Sequence, residues 1–190
     1  SRINNYSYGT GNSNDYTYNT SEDRTTQKLN GGTITTYNYD SASHKLSSLS
    51  GASTDSMTYD SNGNILTVSG KTYTYNAANR MATSNDGSLT TNYLINFMGQ
   101  RTNKANANET TWFIYDENDN IIAEYDENGN IKNEYVYLDD RPIGLLKNSN
   151  LYYIYTDHLN TPRAITDTAN NVQWVWENKE AFGNNAPTEI

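Results

Sequence analysis

Aromatic and polar residues alternate over short runs along most of this chain. Six pairs of tyrosines are each separated by a single residue: Tyr6/Tyr8, Tyr16/Tyr18, Tyr37/Tyr39, Tyr73/Tyr75, Tyr135/Tyr137 and Tyr153/Tyr155. A two-residue spacing places both rings on one face of a β-strand, whereas on a helix they would point about 200° apart. No stretch carries the apolar stripe of an amphipathic helix. The pattern therefore predicts a succession of short strands.

Turn-forming residues follow the predicted strands. Asn-Gly and Asp-Gly dipeptides occur at Asn62-Gly63, Asp86-Gly87 and Asn128-Gly129. Such dipeptides predict type I′ hairpin turns, in which both central residues have positive φ. We therefore expect consecutive antiparallel hairpins and an all-β fold.

The stretch "FIYDENDNIIAEYDENGNIKNEYVY", residues 113–137, contains nearly the same ten residues twice. Ten is an even number, so the repeat is expected to keep its phase and to bury one face throughout. Odd positions hold most of the apolar surface and even positions most of the charge. The odd set is Phe113, Tyr115, Ile121, Ala123, Tyr125, Ile131, Tyr135 and Tyr137.

Composition narrows the class of protein. The 190 residues carry a formal charge of −9, which disfavours binding to nucleic acid and to anionic membranes. No apolar run is long enough to span a bilayer. Leu, Ile, Val and Phe are scarce, as in disordered chains. However, 17 Tyr and 3 Trp can replace aliphatic residues, so an aromatic core is predicted.

One acidic stretch has the spacing of a calcium loop. Asp116, Asn118, Asn120 and Glu127 match four of its ligand positions, but Ile121 stands where the loop needs glycine. Turn chemistry explains these side chains without metal. We expect no metal and no cofactor.

Asp157, His158 and Arg163 form the one compact group of titratable residues around a histidine. A base with a carboxylate partner is conceivable there, but there is no Cys, and no Ser lies in a nucleophile-like context. The favoured interpretation is structural: Asp157 and His158 hold a loop, and Arg163 forms an ion pair. No catalytic residue is assigned, and His44 is expected in a surface turn.

Trp174, Trp176 and Val172 are predicted to share one strand face. Alternating aromatics can stack against sugar rings, but the same pattern recurs along the chain, so a core face is the favoured interpretation.

Two segments, "YDSNGNIL" and "YDENGNI", resemble the YD repeat of the RHS (rearrangement hotspot) family. That repeat is Tyr-Asp, a short spacer, Gly, then an apolar residue. The matching positions are Tyr59, Asp60 and Gly63, then Tyr125, Asp126 and Gly129, with Tyr115 and Asp116 opening a further copy.

The segment "YYIYTDHLNTPRAITDTANNVQWVWENKEAFGN" resembles the start of the RHS-associated core domain. Its Asp157, His158, Pro162 and Arg163 match the family motif, as do Trp174 and Trp176. Asn160 replaces a glycine, but Asn tolerates positive φ best among the other residues. The predicted divisions are 1–36, degenerate Tyr/Asn/Thr-rich repeats; 37–150, YD repeats; and 151–190, a truncated core domain.

The resemblance implies a curved, spiralling β-sheet that is a fragment of a cocoon-like shell. In this family the shell encloses a toxin carried at the C-terminus of the same chain, as in polymorphic toxins and Tc toxin C components. The self-cleaving aspartates of the family lie downstream and are absent from this chain, so an enzyme is not expected. The implied partners are the toxin cargo or other shell segments, and the implied location is secreted or at a bacterial surface.

Two alternatives remain open at the level of sequence. One is an extracellular module that binds carbohydrate or a cell-surface receptor through its aromatic residues. The other is a repeat protein that self-associates into a filament through open sheet edges.

Overall fold

The computed structural model describes residues 2–8, 11–177, 179, 181–183 and 185–190, and within them every regular element is a β-strand. No helix in this part of the chain is long and apolar enough to cross a membrane. The chain divides into two compact units, residues 1–88 with 179–184 and residues 89–178 with 185–190. The predicted divisions after residues 36 and 150 rest on motifs and remain predictions.

Unit one contains ten strands. The first six, β1 to β6, pair antiparallel in chain order as one sheet, and β7 to β10 also pair antiparallel in chain order. The strands are β1 Asn5–Tyr8, β2 Asn12–Tyr18, β3 Arg24–Leu29, β4 Ile34–Tyr39, β5 Leu46–Gly51, β6 Asp55–Ser56, β7 Thr58–Tyr59, β8 Ile65–Val68, β9 Lys71–Tyr75 and β10 Met81–Asn85.

Unit two contains the other ten strands, and each pairs antiparallel with the next in chain order. They are β11 Thr90–Ile95, β12 Arg101–Ala105, β13 Thr110–Tyr115, β14 Ile121–Tyr125, β15 Ile131–Leu138, β16 Arg141–Lys147, β17 Asn150–Thr156, β18 Pro162–Asp167, β19 Val172–Val175 and β20 Thr188–Glu189. The prediction of an all-β fold built from consecutive antiparallel hairpins is confirmed.

The prediction of type I′ turns at Asn62-Gly63, Asp86-Gly87 and Asn128-Gly129 is wrong. Only the glycines Gly63, Gly87 and Gly129 have positive φ there, and a type I′ turn needs two such residues. In these turns an Asp or Asn occupies the first position. The glycine therefore lies one position later than a type I′ turn would place it. Paired positive φ values occur instead at Asn30-Gly31, Ser69-Gly70 and Asn148-Ser149.

The expected constant phase of the ten-residue repeat is also wrong, because the hairpins contain β-bulges. The register shifts between Ile114 and Tyr115 where β13 pairs with β14. Phe113 lies opposite Glu124, and Ile114 lies opposite Ala123. Residues opposite each other share a face, so Phe113 and Ala123 lie on different faces. The bulges between β13 and β14 and between β14 and β15 thus exchange the two faces in this repeat.

The predicted aromatic core is largely absent. Among the described residues, the buried hydrophobic ones are Tyr16, Phe113 and Ala123, and most buried side chains are polar, including Thr111 and Asn103. Few side chains of the described residues are therefore shielded from water.

Candidate functional site

A recurring hydrogen bond joins successive turns. In each case a tyrosine near the end of a strand donates its hydroxyl hydrogen to a backbone carbonyl 10 to 16 residues earlier in the chain. We call this contact the tyrosine strut. The struts join Tyr18 to Ile3, Tyr39 to Arg24, Tyr59 to Leu46, Tyr75 to Ile65, Tyr115 to Arg101 and Tyr137 to Ile121, with distances of 2.7–3.1 Å. Burial raises the pKa of Tyr115 and of Tyr137.

The residue after a strut tyrosine closes its own turn where it is Asp, as at Asp60 and Asp116. Asp116 Oδ1 accepts the backbone N–H groups of Asn118 at 2.9 Å and Asn120 at 2.8 Å. Its Oδ2 accepts the side-chain amide of Asn120 at 3.1 Å. Asp60 and Asp126 make the same three contacts with the residues that follow them. Side-chain bonding from Asn120, with backbone N–H donors, lowers the pKa of Asp116.

Neighbouring turns within each unit also touch through side chains. In unit one, His44 Nδ1 lies 2.9 Å from Asp23 Oδ2. In unit two, Asn120 Nδ2 donates to Asp140 Oδ1 at 3.3 Å, and Asn160 Nδ2 donates to the Asp140 carbonyl at 3.5 Å. Struts, caps and these contacts together fix the spacing between successive turns.

The two copies of the repeat in residues 113–137 therefore differ in role. Tyr115 forms a strut, whereas Tyr125 lies opposite Trp112 and Ile131, on the other face of the sheet. No strut from Tyr125 is found in the described part of the chain. Asp126 and Gly129 close the following turn as their counterparts do, so the aspartate role repeats every ten residues and the tyrosine role about every twenty.

The second motif of the sequence is a clamp at the start of β18. The guanidinium of Arg163 donates twice to Asp157 Oδ2, at 2.9 Å from Nε and 2.7 Å from Nη2. It also stacks 4.5 Å above the ring of Trp176. Backbone donation from Leu159, together with Arg163, lowers the pKa of Asp157 to about 2. The predicted partly buried ion pair is present.

The other residues of this motif play separate parts. Pro162 begins β18 opposite Thr156, and Asn160 has a φ of 60°, as a glycine substitute must. His158 is exposed in the turn and makes no hydrogen bond within the described residues, so only Asp157 holds the loop.

An aromatic cleft of about 300 Å³ lies against β19. Trp174, Tyr152, Leu145 and Ile165 line it, with polar atoms from Gln173. Trp176 lies two residues after Trp174 on the same face. The predicted third member, Val172, does not, since the bulge between Ile165 and Thr166 places it opposite Thr166 instead.

Of the calcium-loop residues, Asp116, Asn118 and Asn120 share one turn, but Glu127 is not brought to them. The carboxylate of Asp116 is taken up by its own turn, and Glu127 lies in the next turn, at the far end of β14. Within the described ranges, no group of three or more His, Asp and Glu side chains has the arrangement of a metal site.

Sequence reasoning missed the struts and the arginine stacks. Arg101 lies 4.6 Å from the Phe113 ring, and Arg24 lies 4.3 Å from the Tyr37 ring and 4.8 Å from that of Phe182. The strut tyrosines Tyr18, Tyr39 and Tyr59 recur with a spacing near twenty residues, which is the signal that was available.

Comparison with known proteins gives the fold only. No protein-family model matches the chain, and no curated protein matches it in sequence. A crystal structure of TcdB2-TccC3-TEV matches 85% of this chain and 10% of that chain, with TM-score 0.53 and 14% identity. The Photorhabdus luminescens Tc holotoxin pore with a mutated TccC3 matches 87% of this chain and 12% of that chain, with TM-score 0.50 and 12% identity.

The chain thus spans roughly a tenth of the length of the structures it matches. It shares its all-β hairpin fold with a segment of these Tc toxin chains.

Proposed function

We propose that this chain is a segment of the wall of an RHS-type toxin shell, exported from a bacterium, that encloses a toxin at the C-terminus of the same polypeptide. Its role is mechanical rather than catalytic. The observation that carries the proposal is the repeated strut and cap, which link each turn to the next at fixed spacing.

A wall needs strands that hold their order without a dense interior. The strut from Tyr115 to Arg101 and the cap at Asp116 act at the turns, outside any core. The fold likeness to a segment of Tc toxin chains supports the same role. The acidic balance of −9 also suits a wall around a basic cargo.

The first test is the mass of the native polypeptide. Antibodies raised against the 190-residue chain would isolate it from its source, and denaturing mass spectrometry would weigh it. A shell segment predicts a mass far above 21.4 kDa. A native mass of about 21.4 kDa would contradict the proposal, because one short wall segment encloses nothing.

The second test is protection of the C-terminal segment. In the intact native protein, a protease should leave that segment uncut until denaturant opens the wall. The matched control is the same segment expressed alone, which should be digested at once. Equal digestion in both forms would refute enclosure.

The aromatic cleft supports a second candidate function, the binding of a saccharide. Trp174 and Tyr152 offer ring faces, and Gln173 offers hydrogen-bonding atoms, which is the mixture that small-molecule clefts use. Titration calorimetry with a glycan panel tests it: Trp174→Ala should weaken binding about tenfold or more, and Trp112→Ala should not. If no glycan binds the unaltered chain at millimolar concentration, this candidate is eliminated.

A further inference from the structure

One face of unit two can be traced residue by residue from the strand register. Three rows cross the sheet, and residues within a row lie opposite each other on adjacent strands. The first row is Leu94, Asn103, Trp112, Tyr125 and Ile131. The second is Ile114, Ala123, Glu134, Leu146 and Leu151. The third is Val136, Gly144, Tyr153, Thr166 and Val172.

The three rows lie on the same face. Trp112 and Ile114 are two residues apart on β13, and Glu134 and Val136 are two apart on β15. Side chains two residues apart on a strand point the same way. We call the surface formed by these rows the apolar face.

Large apolar side chains are exposed to solvent across the apolar face. Leu94, Trp112, Ile114, Ile131, Val136, Leu151, Tyr153 and Val172 are all between 39% and 54% exposed. Tyr155, two residues beyond Tyr153, is 49% exposed. Monomeric proteins seldom leave so many neighbouring apolar side chains uncovered.

Charge is distributed unequally between the two faces. Glu134 is the one charged member of the three rows, and Arg141 lies at the border of the same face, opposite Leu138. The opposite face carries Arg101, Lys104 and Glu124, since these lie opposite Ile95, Tyr93 and Phe113. In a chain with a net charge of −9, the apolar face is therefore the surface on which two copies meet with least repulsion.

We propose that the apolar face packs against the same face of a second copy of this chain, giving a two-fold dimer with two sheet layers. Sheets that pack face to face interdigitate side chains of this kind, with strands nearly aligned. A two-fold axis makes one patch its own partner. The inference stands independently of the proposed role in a toxin shell.

The exposed area is of the right size. Large apolar side chains present roughly 150–250 Å² each when free, so those of the apolar face together leave about 800 Å² in water. Standard stable interfaces bury about 800 Å² per partner. Gly144 contributes by its lack of a side chain: a Cβ there would lie 3.3 Å from Val136 Cβ, so the face is already filled around it.

Analytical ultracentrifugation of the 190-residue chain is the first test. We expect a reversible dimer of twice 21.4 kDa at micromolar concentration. Replacing Trp112, Ile114 and Val136 by Thr keeps strand preference and should weaken dimerisation at least tenfold. The control is Phe97→Ser, which removes an apolar side chain that is 98% exposed but lies in a turn, and should leave the dimer unchanged.

A second measurement does not depend on the stability of those variants. Adjacent residues Tyr152 and Tyr153 lie on opposite faces, because they pair with Leu145 and Gly144 respectively. The photoreactive substitution Tyr153→p-benzoylphenylalanine should cross-link two chains on illumination, and Tyr152→p-benzoylphenylalanine should not.

Three outcomes would overturn the inference. The first is a monomer at every concentration up to about 100 µM, because the affinity would then be too weak for the proposed contact area. The second is cross-linking from position 152 equal to or greater than that from 153. The third is an open-ended assembly that the threonine variants leave intact, since that would indicate pairing through strand edges.

Discussion

At the scale of single residues, the pair Tyr115-Asp116 divides two tasks between neighbours. Tyr115 reaches back to the previous turn through its hydroxyl, and Asp116 closes the next turn through its carboxylate. The aspartate role was predictable, since turn chemistry is local. The tyrosine role was not, because its partner carbonyl lies 14 residues away and depends on the strand register.

Tyr115→Phe should destabilise the protein by about 0.5–1.5 kcal/mol, because it leaves the Arg101 carbonyl without its donor. Tyr125→Phe is the matched control and should cost far less, since that tyrosine forms no strut. Urea denaturation followed by circular dichroism measures both. Equal losses in the two variants would mean that the hydroxyl bond contributes nothing specific.

At the scale of the element, the fold is built from hairpins, and some of their turns require glycine. Strand order, strand type and turn positions followed from the sequence because apolar alternation and turn residues are local signals. The bulges did not, since a bulge depends on how one strand fits its partner. That error placed Ala123 and Val172 on the wrong faces.

Gly51→Ala should destabilise the protein by about 3 kcal/mol or more. Gly51 has a φ of 94°, and a Cβ there would overlap the Ile34 carbonyl oxygen. Gly129→Ala is the comparison: its φ is 81° but nothing lies within 4 Å, so only the cost of left-handed backbone, about 1 kcal/mol, applies. Thermal unfolding distinguishes them, and a larger loss at Gly129 would contradict the geometry.

Acid should loosen the turns. The pKa of each capping aspartate, Asp60, Asp116, Asp126 and Asp157 among them, lies below the ordinary value of 3.8, and that of Asp157 is about 2. A carboxyl with a lowered folded pKa stabilises the fold above the unfolded pKa, and this contribution is lost as the pH falls through the folded pKa. The thermal midpoint should hold down to about pH 4 and fall from there towards pH 2.

The chain offers its own control for the acid experiment. Asn76 and Asn96 cap their turns with an amide oxygen that does not titrate in this range. A variant with Asp116→Asn and Asp126→Asn should therefore lose less stability between pH 4 and pH 2 than the unaltered chain, measured by the same thermal scans. An identical acid profile would show that these caps do not govern it.

At the scale of the whole molecule, sheets with few buried side chains replace a dense core. The fold class was predictable from the sequence, because tyrosine pairs and turn residues recur from end to end. The predicted aromatic core was not found, because alternation shows which side chains share a face but not whether anything covers that face. Asp157 and Arg163 form the expected ion pair. His158 takes no part in holding the loop, contrary to expectation.

Unfolding should expose unusually little surface for the length of the chain. The urea m-value of a dilute, monomeric sample should fall below that of compact proteins of 190 residues, because m follows the surface exposed on unfolding. Tryptophan fluorescence at submicromolar concentration gives the value. An m-value typical of a compact protein would contradict the description of sheets with few buried side chains.

The bulges on either side of β14 have a consequence for how this stretch can lengthen or shorten. Ten residues carry the chain from one face to the other, as from Tyr115 to Tyr125, and twenty return it, as from Tyr115 to Tyr135. Gene duplication or deletion of β14 and β15 together with their turns thus preserves which side chains face which way. Loss of β14 alone with its turn, residues 121–130, would move the side chains that follow it to the opposite face of the sheet.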